Sequence, residues 1–157
     1  MIYFDASAIV RLIRAEQWSD DLEAYLGDLD PRLTFATSAV GIVEVHRVLL
    51  RDEADAVTTR RAASVLALFD RVELSAAVVE EAARLSGRYL GPLDAIHLAS
   101  ALILVDALTV LLSYDRRMID SAQQAGLTVA APGMLPSRSR HAASAGCDRP
   151  GSGAPSD

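Results

Sequence analysis

The chain has 157 residues, a formal net charge of −6, 51% hydrophobic residues and only 5% aromatic ones. One domain with a core of Ala, Val, Leu and Ile is therefore expected. All 15 basic residues are arginine, and without lysine there can be no Schiff base, no phosphate-loop lysine and no lysine-assisted aspartyl-phosphate site. The acidic balance argues against a broad basic surface for nucleic acid, though not against a nuclease whose cations neutralise the local field.

A single cysteine, Cys147, cannot form an internal disulfide and fits a reducing compartment. The N-terminus shows no basic region followed by an apolar one, so no signal peptide is expected. The longest apolar stretch, Leu98 to Leu112, is broken by Asp106 and is shorter than the ~20 residues a bilayer needs. These features predict a cytoplasmic protein that does not enter membranes.

Short apolar runs alternate with amphipathic segments along the chain. Strands are predicted at Ile2–Phe4, Leu33–Ala36, Val72–Leu74, Thr109–Ser113 and Thr128–Ala130. Helices are predicted near Ser7–Ala15, Ser19–Leu26, Ser38–Arg51, Glu53–Asp70, Ala76–Tyr89, Pro92–Val105 and Arg116–Ala125. Ser19 and Ser75 suit N-caps, Pro92 a first helical turn and Gly126 a C-terminal stop. The alternation implies a mainly parallel sheet of about five strands between helical layers. Residues 1–135 carry this pattern. Residues 136–157, including SRSRHAASAGCDRPGSGAPSD, are Ser/Gly/Pro/Arg-rich and are expected to form a disordered tail.

Four acids stand where a carboxylate is costly unless paired or bound to a cation. Asp5 ends the run IYFD, Glu44 lies inside SAVGIVEVHRVLL, Asp94 opens PLDAIHLASALILV, and Asp115 follows TVLLSY. Parallel sheets place sites beyond the carboxyl ends of their strands, where Asp5 and Asp115 would lie. Asp94 falls in a first helical turn that favours an anion. Glu44 reaches the same edge if its helix crosses it with Val40, Val43 and Val48 packed beneath. Four such carboxylates without matching arginines would repel one another, and hard cations with oxygen ligands relieve this. Mg2+ fits, and Mn2+ is possible; zinc would want His or Cys. Such a site, with no phosphate-cradling glycine loop, suits phosphodiester hydrolysis.

The segments IYFDASAIVRL, SAVGIVEVHRVL, PLDAIHLASAL and LLSYDRRMIDSAQQAGL carry these acids in the order D…E…D…D. With them the chain resembles the PIN-domain ribonucleases, specifically the VapC-type toxins of toxin–antitoxin pairs, over residues 1 to about 133. The resemblance implies a three-layer α/β/α fold, a cognate antitoxin, an RNA substrate and a homodimer. It makes Asp5, Glu44, Asp94 and Asp115 the metal-binding catalytic acids, with Ser7 in support and Ser113 where many members have threonine. The apolar helix faces within residues 76–105 also exceed what one small core needs, which favours pairing. A catalytically inactive PIN scaffold and a housekeeping PIN nuclease without an antitoxin are the competing readings. Of the remaining residues, His97 suits a satisfied helix position, Arg116 and Arg117 could meet phosphate or surface acids, and Trp18 and Tyr25 suit packing of the first two helices.

Overall fold

The computed structural model describes residues 1–85 and 90–135. The expected tail at 136–157 and the expected end of one helix at 86–89 lie outside the described residues. Five parallel strands form one sheet in the order β3-β2-β1-β4-β5. They are β1 (Ile2–Phe4), β2 (Phe35–Ser38), β3 (Phe69–Val72), β4 (Val110–Leu112) and β5 (Val129–Ala130). The seven helices among the described residues are α1 (Ala6–Ile13), α2 (Ser19–Gly27), α3 (Ala39–Arg51), α4 (Ala56–Leu66), α5 (Ala76–Arg84), α6 (Pro92–Ile103) and α7 (Arg116–Gln124).

The sheet divides the core by simple alternation. Ile2, Phe4, Val110 and Leu112 face one side with Ile9, Ile13, Leu22, Val45, Leu49 and Ala62 of the first four helices. Tyr3, Ala36 and Leu111 face the other, against Leu98 and Ala101 of α6 and Met118 and Ala122 of α7. Strands β1 and β4 are buried on both faces, as central parallel strands must be. Each fully buried large side chain contributes roughly 1.5–3 kcal/mol of apolar transfer free energy. All three phenylalanines cluster across β1, β2 and β3, with Phe4 5.0 Å from both Phe35 and Phe69 between ring centroids.

Three local expectations need correction. The predicted helix Glu53–Asp70 ends at Leu66, and its last residues belong to β3, which starts at Phe69 rather than Val72. This edge strand puts Asp70 and Arg71 in solvent, a charged edge that deters pairing with other chains and hides the apolar signature of a strand. Ser19 is not an N-cap. The cap position is Trp18, in the left-handed region at φ 70°, and the buried Ser19 hydroxyl instead accepts from the Glu16 N–H and donates to the Arg11 carbonyl. Val43 is exposed, and α3 packs through Gly41, Val45 and Leu49. The Ser75 cap holds, donated to by the Val78 N–H at 3.3 Å, as do Pro92 at the start of α6 and Gly126, at φ 84°, beyond α7.

Candidate active site at the switch point

Strand β1 leads to β2 on one side, while β4 flanks it on the other, so the chain reverses direction across the sheet between β1 and β4. Ligands of open parallel sheets bind at such a point, beyond the strand carboxyl ends. Asp5 follows β1 directly and caps α1, its Oδ1 accepting the Ala8 N–H at 3.0 Å. Asp115 follows β4 and caps α7, accepting the Arg117 N–H at 2.8 Å. Asp94 lies in the first turn of α6 and accepts the Gly91 N–H at 3.2 Å. Helix α3 packs against both α1 and α6, which carries Glu44 over the same edge. All four acids line one pocket. Capping and pocket lining thus coincide at the three aspartates.

Asp5 is the buried member, at 5% exposure. Its Oδ1 also accepts the Ser7 hydroxyl at 2.6 Å, and its Oδ2 accepts the Ser113 hydroxyl at 2.5 Å. The two hydroxyls stitch β1 to the β4 end, because Ser7 Oγ accepts the Tyr114 N–H at 2.8 Å and Ser113 Oγ the Asp115 N–H at 3.1 Å. Burial raises the Asp5 pKa above the ordinary carboxylate range; His97, Ser113, Ser7 and the Ala8 N–H oppose the rise. Among the described residues, three of the four lone pairs of this carboxylate are used, and one on Oδ2 is left.

The other three acids are less enclosed. Glu44 and Asp94 are half-buried and Asp115 is exposed. Glu44 Oε2 lies 2.7 Å from His97 Nε2. His97 is buried at 2% exposure, and its Nδ1 lies 2.9 Å from the Tyr3 hydroxyl and 3.4 Å from Ser38 Oγ. Among the described residues no three His, Cys, Asp or Glu side chains already converge to hold an ion. The acids share a pocket without closing on one point.

The pocket also holds arginines, whose ion pairs among the described residues go to Glu16 and Asp52 rather than to the four acids. Arg11, Arg14 and Arg51 line it together with Glu16. Arg14 pairs with Glu16 at 2.7 Å and Asp52 at 2.8 Å, and Arg51 with Asp52 at 2.9 Å. Arg11 donates to the Ser7 carbonyl at 2.6 Å and sits 4.1 Å from the Tyr114 ring centroid, a cation–π contact. Trp18 stacks on Tyr114 at 5.7 Å rather than only packing helices, and burial pushes the Tyr114 hydroxyl up to about 12. Helical spacing could have revealed these residues. Ser7 and Arg11 share one face of α1, with Arg14 just past its end, Glu44, Val48 and Arg51 share one face of α3, and Asp94 and His97 one face of α6. Arg116 and Arg117 are exposed and not among the lining residues.

Residues 2–123 match the model of the PIN domain family. This chain belongs to the PIN-domain family. Over 135 residues this PIN domain is 40% identical to Ribonuclease VapC35 of Mycobacterium tuberculosis, a match that covers 85% of this chain and 98% of that one. Its fold is that of the crystal structure of M. tuberculosis VapC20, a sarcin–ricin loop cleaving toxin, with a TM-score of 0.64 at 18% identity over 84% of this chain and all of that one. A toxin–antitoxin complex from Klebsiella pneumoniae matches with a TM-score of 0.57 at 22% identity, over 73% of this PIN domain and 87% of that chain. The α/β/α layering of this PIN domain around a wholly parallel sheet is the fold these relatives share.

Proposed function

We propose that this PIN domain is a VapC-type endoribonuclease toxin that hydrolyses RNA phosphodiester bonds with Mg2+, or Mn2+ in its place. The observation that carries the reading is the buried Asp5 at the switch point, with Glu44, Asp94 and Asp115 lining the same pocket. Kinship with VapC ribonucleases supports the nuclease activity. The donor set supports the ion. It consists of carboxylate oxygens, Asp5 keeps one free lone pair, and a small hard cation binds through one or two carboxylates while retaining several waters. A preformed cage is not needed for that.

Asp5, Asp94, Asp115 and Glu44 would hold the ion. When bound, it would polarise the phosphate and lower the pKa of an attacking water. Ser7 and Ser113 keep both Asp5 oxygens in place. One of the less enclosed carboxylates can accept the proton of the water as its oxygen bonds to phosphorus and the P–O bond to the leaving sugar breaks. Arg11, Arg14 and Arg51 line the same pocket and are suited to meet flanking phosphates.

The partners proposed are an RNA substrate, a cognate antitoxin and a second copy of the chain. The toxin–antitoxin complex among the structural relatives supports the second. Exposed Val79, Leu93 and Ile103 on α5 and α6 support the third. No described helix is long and apolar enough to cross a membrane, which is consistent with the proposed cytoplasmic site of action.

The test combines cleavage of a structured RNA, growth on induced expression, and melting with and without Mg2+. Wild type should cut, arrest growth and gain thermal stability with Mg2+. Asp94→Asn keeps the acceptor for Gly91, so it should fold but lose both cleavage and the Mg2+-dependent gain. A wild type that binds Mg2+ normally yet cuts nothing and is harmless would point to a binding scaffold.

A further inference from the structure

We propose that His97 is a positioning residue that holds Glu44 toward the pocket through its Nε2–H, with Tyr3 and Ser38 gripping the opposite edge of the ring. The proposal rests on the metal-nuclease reading above and adds a residue to it. Glu44 Oε2 is 2.7 Å from His97 Nε2, and both residues line the pocket. Glu44 sits mid-helix on α3 with a long side chain that is 28% exposed. Left alone, such a chain spreads over several rotamers in water. The buried imidazole gives it one destination.

The ring itself is held from three elements. Tyr3 on β1 meets Nδ1 at 2.9 Å, and Ser38 at the end of β2 approaches at 3.4 Å. Tyr3 also stands edge-on to the imidazole, with centroids 6.0 Å apart at 84°. On α3, Gly41 lets the ring edge lie against the helix backbone. A Cβ there would fall 2.7 Å from His97 Cε1 and 2.6 Å from Thr37 Oγ1, so any larger residue would push the ring away from its place.

These contacts also select the tautomer. An ionised carboxylate only accepts, so the 2.7 Å contact with Glu44 Oε2 calls for the ring hydrogen on Nε2, and the fully buried Tyr3 hydroxyl is then placed to donate to Nδ1. Donation from Nε2 to Glu44 is the arrangement in which a histidine orients a neighbouring carboxylate. A hydrogen-bond chain therefore runs from β1 through α6 to α3 and joins both faces of the sheet to the pocket.

The experiment uses the full chain in five forms: wild type, His97→Leu, His97→Gln, Tyr3→Phe and Glu44→Ala. Mg2+ affinity is measured by calorimetry, melting in chelator reports the fold, and RNA cleavage is resolved into kcat and KM. His97→Leu should weaken Mg2+ binding by roughly 10–100-fold and lower kcat while leaving KM for RNA nearly unchanged. His97→Gln, which can still donate to Glu44, should recover part of both. Tyr3→Phe, whose lost hydroxyl is separated from Glu44 by the ring, should show a smaller loss in the same direction.

A folded His97→Leu that binds Mg2+ as wild type does overturns the positioning role and leaves the metal reading standing. Wild type that binds no Mg2+ overturns the metal reading instead. Imidazole 15N resonances of the metal-free protein decide the contact independently of activity and of folding in the His97 variants. An Nε2–H tautomer whose resonance moves in Glu44→Ala supports the proposal, and an Nδ1–H tautomer, or no response to Glu44→Ala, overturns it.

Discussion

Asp5 and the other three acids occupy one pocket in two different states. Asp5 is buried and accepts two hydroxyls and a backbone N–H. Asp94 and Asp115 are more open, and among the described residues each side chain accepts one backbone N–H. Glu44 leans on one imidazole. The tightly held carboxylate can fix where a cation sits at little further entropic cost, while the open ones retain the freedom to adjust to the ion and to substrate. The difference follows from position. Asp5 is sealed between adjoining central strands, whereas Glu44 and Asp94 stand on helices and Asp115 sits exposed at the start of α7.

The largest effect is expected at Asp5. Asp5→Asn should reduce RNA cleavage by roughly 100-fold or more, since a bound metal supplies several kcal/mol of transition-state stabilisation. The same change should raise the melting temperature of the metal-free protein near neutral pH. The sign follows from the raised pKa. The folded state holds the proton more tightly than the unfolded chain, so Asp5 favours folding most below its ordinary pKa of 3.8 and loses that contribution as pH rises through the higher folded value. The advantage of Asp5→Asn over wild type should therefore shrink as pH falls toward 3.8. A constant advantage across that range would mean that buried charge at Asp5 is not what limits metal-free stability.

A smaller effect is expected from the hydroxyls that tie Asp5 down. Ser113→Ala removes a donor to a buried carboxylate and an acceptor for the Asp115 N–H, and should cost roughly 1.5–3 kcal/mol in chemical denaturation. Ser113→Thr keeps the hydroxyl and should retain most cleavage activity. Equal losses in both variants would assign the effect to packing in the fully buried position rather than to the hydrogen bonds.

The smallest stability change is expected at exposed Asp115. Asp115→Ala removes an N-cap and should cost about 1 kcal/mol, while Asp115→Asn keeps the cap and should melt like wild type. Cleavage then separates the two duties of this residue. If Asp115→Asn cuts RNA as well as wild type, capping is its whole role and the site has three acids.

Much of this architecture could be read along the chain because it is written in local periodicity. IYF and VLL carry large nonpolar or aromatic side chains at every residue, as a central parallel strand buried on both faces requires. The acids that follow them must then fall at the carboxyl edge of the sheet, so Asp5 and Asp115 were legible from their neighbours alone. β3 was not, because an edge strand with Asp70 and Arg71 in solvent lacks the burial that leaves an apolar imprint. Val43 misled for a related reason, since an apolar residue on an exposed helix face looks the same in sequence as one beneath it.

What the sequence by itself determined was which residue types stand at strand ends and helix starts, since backbone capping and strand burial act within a few residues. Only the tertiary structure decided which of them meet. Glu44 and His97 are 53 positions apart and Tyr3 and His97 94, and no local rule links them. Their contact exists because α3 crosses the strand ends onto α6 and because Gly41 lets the imidazole lie against the helix backbone. Hydrogen bonds act over about 3 Å, so partners so distant along the chain are chosen by how the layers pack.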